Sequence, residues 1–201
     1  PRSLTPSRVD SGEKAGSPGG AMGIGYNTGS TRAFSSIGSS KLSGEAAMSA
    51  LAPGTPAPEF KLKNFDGTEV ALSQFRGKKN VLLAFFPLAS TPVCSCQIPS
   101  YRDDLAKFEA ADCQVLAIGI GHGAAHKAWV DTMGGVNIPV LSDFYPHGEV
   151  ARKYGVLPDA GFPARALFLI PKHGTIRLSS VNELRKQPDN QIILEERKKL
   201  S

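Results

Sequence analysis

The sequence predicts an α/β fold, a mixed central β-sheet with helices on both faces, behind a disordered N-terminal extension. Three observations carry this. From Pro58 onward, strand-like runs alternate with segments of helical spacing. Two of the runs, Asn80–Phe86 and Gln114–Ile120, are continuously apolar, the pattern of strands buried on both faces. The last two, Ala166–Ile170 and Thr175–Ser179, flank Pro171-Lys172-His173-Gly174 and read as a hairpin, which makes the sheet mixed.

The elements follow in order. Glu59–Lys63 and the run ending at Val70 form a hairpin turning at Asp66-Gly67. Ser73–Gly77 is a short helical turn. After the strand Asn80–Phe86, Thr91 as N-cap and Pro92 at the first position open a helix. Ile98, Tyr101, Leu105 and Phe108 mark its inner face, and Pro99 should kink it. Gln114–Ile120 is the next strand, Gly123–Met133 a helix, and Ile138–Leu141 a strand. His147–Tyr154 is a short helix ended by Gly155. Beyond the final hairpin the pattern weakens, and Asp189 caps a last charged helix.

Residues 1–47 differ in kind from the rest. Gly, Ser and Pro make up 23 of the first 50 residues, with no apolar periodicity. Such a segment buries too little surface to offset its ordering entropy. It reads as a disordered tag, leader or targeting remnant, and 48–201 as the folded domain, opening at Met48. Arg2, Arg8 and Arg32 suit a transit peptide, whereas Asp10, Glu13 and Glu45 do not.

Composition excludes several classes. The net charge of +5 comes from scattered basic residues, and short clusters such as Lys78-Lys79 read as solvated surface. A nucleic-acid partner is not expected. The longest apolar run, Val81–Ala89, is interrupted by Pro87 and falls far short of a membrane span. Three cysteines argue against a disulfide framework and for a reducing compartment, the cytoplasm, with organelle import through residues 1–47 the alternative.

Cys94 follows a buried strand at the start of a helix. Helix N-terminal N–H groups and the macrodipole stabilise a thiolate, and cysteines so placed titrate at about 3.5–7.5 rather than about 8.5. The stretch Pro87-Leu88-Ala89-Ser90-Thr91-Pro92-Val93-Cys94 has the form P-x-x-x-T-x-x-C. Here the sequence resembles the peroxiredoxins, whose active-site motif has that form. The resemblance covers roughly residues 51–180. It includes Ala52-Pro53-Gly54, Leu141-Ser142-Asp143, Tyr154-Gly155-Val156, Arg165–Ile170 and Gly174–Arg177. Val81–Ala89 and Leu141–Gly148 look like the AhpE-type members, which usually have one essential cysteine.

The resemblance implies a thioredoxin-like fold and a peroxidase that reduces hydrogen peroxide, organic hydroperoxides or peroxynitrite without a cofactor or metal. Carried over, Cys94 is the peroxidatic cysteine, which becomes a sulfenic acid. The Thr91 hydroxyl orients thiolate and peroxide, Pro87 shields the pocket, and Arg165 supplies the guanidinium beside the sulfur. The chemistry agrees, because O–O displacement needs a thiolate, an in-line peroxide and donors for the leaving oxygen. One departure stands out. Many members carry Glu three residues after the cysteine, where this chain has Gln97. A charge pair with arginine is lost there while a hydrogen bond can remain.

Recycling the sulfenic acid needs a second thiol. Cys96 and Cys113 are the internal candidates for a resolving role. A disulfide between Cys94 and Cys96 inside a helix would be strained. Cys113 matches no familiar resolving position. An external thiol, from thioredoxin, a glutaredoxin-like protein or a small molecule, is the favoured reductant, and a homodimer the expected assembly. The rivals are a dithiol oxidoreductase using Cys94 and Cys96, a peroxide-sensing relay, and a metal site of Cys94, Cys96, His122 and His126. In the last, His126 is expected to face out of its helix. Gly119–Gly123 lacks G-x-G-x-x-G and reads as a tight turn. Trp129, Phe144 and Tyr145 read as core or dimer contacts.

Overall fold

The computed structural model describes residues 49–198, so the extension expected over 1–47 lies outside the described residues. The described chain forms one seven-stranded mixed sheet. Its strands are β1 (Lys61–Asn64), β2 (Glu69–Ala71), β3 (Asn80–Phe85), β4 (Cys113–Gly119), β5 (Val140–Ser142), β6 (Arg165–Ile170) and β7 (Leu178–Asn182). Their order is β2-β1-β5-β4-β3-β6-β7. β3 pairs in parallel with β4, and β4 with β5, while β6 runs antiparallel to β3.

The apolar runs explain the centre. Successive side chains of β3 point to opposite faces. Val81, Leu83 and Phe85 enter one core layer, and Leu82 and Ala84 the other, joined by Phe86 just past the strand. The second layer is covered by helices α1 (Pro92–Asp103), α2 (Leu105–Ala110), α3 (Gly123–Thr132) and α5 (Asn190–Lys198). The first is covered by α4 (Glu149–Lys153), through Val150 and Ala151. Asp143 has a structural duty, since its carboxylate accepts the backbone N–H groups of Val150 and Ala151 at the start of α4. Asp189 caps α5 as expected, accepting the Gln191 N–H at 2.8 Å.

Two expectations need correction. The helix expected to run from Thr91 through Leu105 and Phe108 is two helices that part at Asp104, where φ is −95° and ψ 9°. Aspartate favours helix ends. The Asp104 carboxylate also holds Asn190 Nδ2 at 2.9 Å and Lys107 Nζ at 2.6 Å. The final hairpin exists, but its second strand is Leu178–Asn182 rather than Thr175–Ser179. Thr175 and Ile176 pair instead with the segment near Thr55 and Pro56, where Ile176 N–H meets Thr55 O at 2.9 Å. That long-range pairing leaves no local mark in the sequence.

Candidate active site

The parallel strands β3 and β4 end together, and the chain leaving β3 at Phe86 runs through Pro87 and Thr91 into α1. This connection places Cys94 in the first turn of α1, above the sheet end. Its side chain has no solvent exposure and packs in the second core layer. Thr91 is the N-cap residue, but its side chain does not cap the helix. Its hydroxyl donates to Leu88 O at 2.8 Å, so the proton is committed and the oxygen lone pairs are what a ligand would meet.

Arg165, the first residue of β6, is also buried. Because β6 runs antiparallel to β3, its start lies beside the end of β3, with Ala166 opposite Phe85. The guanidinium Nη2 donates to Cys94 Sγ at 3.5 Å. Nη2 and Nε both donate to Leu184 O, at 2.8 and 3.2 Å. Nη1 donates to Gln97 Oε1. Gln97 Nε2 in turn donates to the Tyr101 hydroxyl at 2.9 Å. Both side chains are buried, on the face of α1 that carries Cys94. Burial pushes the Tyr101 phenol up to about 12, outweighing the Gln97 hydrogen bond and the Arg165 charge, so it stays neutral. A largely apolar pocket of about 340 Å³ opens above, lined by Pro87, Leu88, Val93, Phe162, Arg165 and Leu184 among others. Arg165 links this pocket to the sulfur beneath.

The structure therefore brings Cys94, Arg165 and Pro87 to one place, with Thr91 on the pocket wall. Gln97 was singled out in the sequence only as a departure, and Tyr101 only as core. Both lie on the Cys94 face because positions i, i+3 and i+7 of a helix align. The other thiols are elsewhere. Cys96 is exposed although only two residues away. Cys113 opens β4 opposite Asn80, at the far end of β3. With about 3.3 Å per residue, the length of β3 separates it from the site by ~16 Å. Burial pushes the Cys113 thiol up to about 12.

The expected outward face of His126 is wrong. The ring is fully buried, its centroid 5.5 Å from that of Phe86, and neither ring nitrogen has a hydrogen-bond partner. It shares the inner face of α3 with Trp129 and Val130. Gly121 permits this, since a Cβ there would lie 2.6 Å from His126 Nε2. His122 caps α3, accepting Ala124 N–H at 3.2 Å. No metal-ligating cluster of three or more such side chains exists among the described residues. Trp129 is core and donates to Ser95 Oγ at 3.0 Å, whereas Phe144 and Tyr145 are exposed rather than core.

Comparison with known proteins matches residues 53–179 to the model of the AhpC/TSA family. The chain belongs to this family. It is 42% identical over 131 residues to alkyl hydroperoxide reductase E of Mycobacterium tuberculosis, covering 65% of this chain and 85% of that protein. It is 38% identical over 141 residues to peroxiredoxin-2 of Bos taurus, covering 65% and 69%. Among solved structures, the mitochondrial 2-Cys peroxiredoxin of Plasmodium falciparum superposes with a TM-score of 0.68 at 29% identity, covering 74% of this chain and 94% of that one. The sheet with its flanking helices is thus the thioredoxin-like fold of the peroxiredoxins, and the family's chemistry is thiol-dependent peroxide reduction. No helix among the described residues is long and apolar enough to cross a membrane.

Proposed function

We propose that Cys94 is the peroxidatic thiol of a one-cysteine peroxidase recycled by an external thiol. The observation that carries this reading is the Arg165 Nη2 contact to Cys94 Sγ inside a buried site. A fixed guanidinium puts a positive charge and N–H donors beside the sulfur that is to attack. The thiolate attacks one peroxide oxygen, and the O–O bond breaks. Cys94 becomes a sulfenic acid, and the departing alkoxide or hydroxide takes a proton to leave as alcohol or water. Arg165 offers five N–H donors, of which four contacts go to Leu184 O, Cys94 Sγ and Gln97 Oε1. One Nη1 N–H is left for the charge that develops on oxygen. Pro87 keeps water off the sulfur, and the Thr91 oxygen accepts a hydrogen bond from the hydroperoxide O–H.

Hydrogen peroxide and organic hydroperoxides fit this chemistry, as does peroxynitrous acid with nitrite as the leaving group, and the apolar pocket wall suits an alkyl chain. Recycling by thioredoxin, a glutaredoxin-like protein or a small thiol condenses that thiol with the sulfenic acid, releasing water and a mixed disulfide. A second thiol then frees Cys94. The distance to Cys113 and the outward direction of Cys96 weigh against an internal partner. We read the assembly as a homodimer working in the cytoplasm. The test is intact mass after one equivalent of peroxide, with and without added thiol. One added oxygen on Cys94, removed by thiol, supports the reading; an intramolecular disulfide overturns it.

A further inference from the structure

We propose that Gln97 and Tyr101 form a positioning relay that holds the Arg165 guanidinium beside Cys94 without neutralising its charge. The proposal rests on Cys94 being the reactive thiol. Arginine has donors only, so the atom of Gln97 that faces Nη1 must be the amide oxygen. The amide nitrogen must then find an acceptor in a buried site, and the Tyr101 hydroxyl, one helical turn further on, is its partner at 2.9 Å. Tyr101 thereby fixes which way the amide points. Both partners are uncharged, and burial keeps the phenol neutral. The remaining acceptor on the guanidinium is the Leu184 carbonyl, also uncharged.

No carboxylate among the described residues forms an ion pair with Arg165. A charged group usually goes into a protein interior with a counter-charge. Here the guanidinium is held by neutral oxygens, and the one group at the site able to become its counter-ion is the Cys94 sulfur. A carboxylate at position 97 would accept the same Nη1 hydrogen bond and would also compete with the thiolate for the positive charge. The neutral amide keeps the geometry and leaves the charge to the sulfur.

The experiment uses the full chain with Cys96→Ser and Cys113→Ser, so that Cys94 is the single thiol. Its alkylation by iodoacetamide, a neutral reagent, is followed against pH. This reports the thiolate whether or not the protein reduces peroxide, so its failure is separate from failure of the peroxidase reading. Gln97→Glu should move the midpoint up by about one pH unit, a loss of roughly tenfold in thiolate below the midpoint. Gln97→Met, which adds no charge but cannot hold Nη1, should move it less than Gln97→Glu does and slow the reaction with hydrogen peroxide about tenfold. Tyr101→Phe should leave the midpoint in place yet slow the reaction with hydrogen peroxide about tenfold, because the charge persists while its aim is lost. Melting curves verify that each variant is folded. The proposal is overturned if Gln97→Glu titrates like the parent, or if Gln97→Met reacts with hydrogen peroxide at the parental rate. The second result decides the matter alone should the glutamate variant not fold. A parental peroxide rate in Tyr101→Phe removes Tyr101 from the relay.

Discussion

Cys94 and Cys113 are both buried thiols in the same core layer, at opposite ends of β3. Around Cys113 burial dominates, pushing the thiol up to about 12, well outside the range in which a thiolate forms. Around Cys94 the same loss of solvent is met by a guanidinium N–H at 3.5 Å and a position in the first turn of a helix. On the proposed reading, burial by itself silences a cysteine, while burial beside a fixed cation prepares one for attack. On the same reading the nucleophile is set by what faces the sulfur rather than by its exposure; Cys96 is the exposed thiol.

The sharpest way to break the comparison is to remove each sulfur. Cys94→Ser should reduce peroxide consumption to background, whereas Cys113→Ser and Cys96→Ser should keep the first, rapid oxidation step in single-turnover kinetics. Loss of that step in the Cys96 variant would transfer the nucleophile's role to Cys96. Removing the cation should make Cys94 resemble Cys113. Arg165→Ala should slow peroxide reduction about 10²–10³-fold, as loss of a donor to a developing oxyanion does elsewhere. Arg165→Lys should restore only part of it, since an ammonium lacks the planar fork that reaches Leu184 O, Gln97 and the sulfur together. An alanine variant with the parental rate would dissolve the contrast.

A second buried group sharpens the comparison through pH. His126 resembles Cys113 in having burial without compensation, and burial lowers its ring to about 4, with the nearby His122 adding to the effect. Above pH ~6.5 the ring is neutral in both folded and unfolded chains and carries no penalty. As pH falls toward 4 the unfolded chain takes up a proton that the native ring refuses, so stability drops. The full loss is about 3 kcal/mol, from roughly 1.4 kcal/mol per pH unit. Melting temperatures between pH 7 and 4 should fall, and His126→Leu should flatten that decline. An equal slope in the variant would clear His126 of the effect. The smallest change expected is in Cys113→Ala, which costs about 1 kcal/mol of stability for lost packing and leaves peroxide kinetics unchanged.

Much of this arrangement was legible in the sequence, for local reasons. The unbroken apolar runs of β3 and β4 announce the buried centre, and the P-x-x-x-T-x-x-C stretch marks Cys94, whereas Arg165 is picked out only by the family resemblance. Helical spacing placed Tyr101 inward, but spacing does not say where a hydroxyl at the tip of a ring will find its partner. His126 was misjudged although Trp129 and Val130, three and four residues on, already marked its face as internal. The shifted β7 and the break at Asp104 depend on contacts with Thr55 and Asn190, far along the chain. The Thr91 hydroxyl bond to Leu88 O depends on the loop conformation and not on residue type alone.

On the proposed reading the guanidinium, and not burial or exposure, selects the reactive sulfur. The most direct measurement is peptide mapping of the unmodified full chain after one equivalent of peroxide at pH 7, trapping sulfenic acid as it forms. Oxidation is expected on Cys94 ahead of both other thiols, with that preference lost in Arg165→Ala. First oxidation at exposed Cys96 or at Cys113, or a preference for Cys94 that survives without Arg165, would contradict that reading.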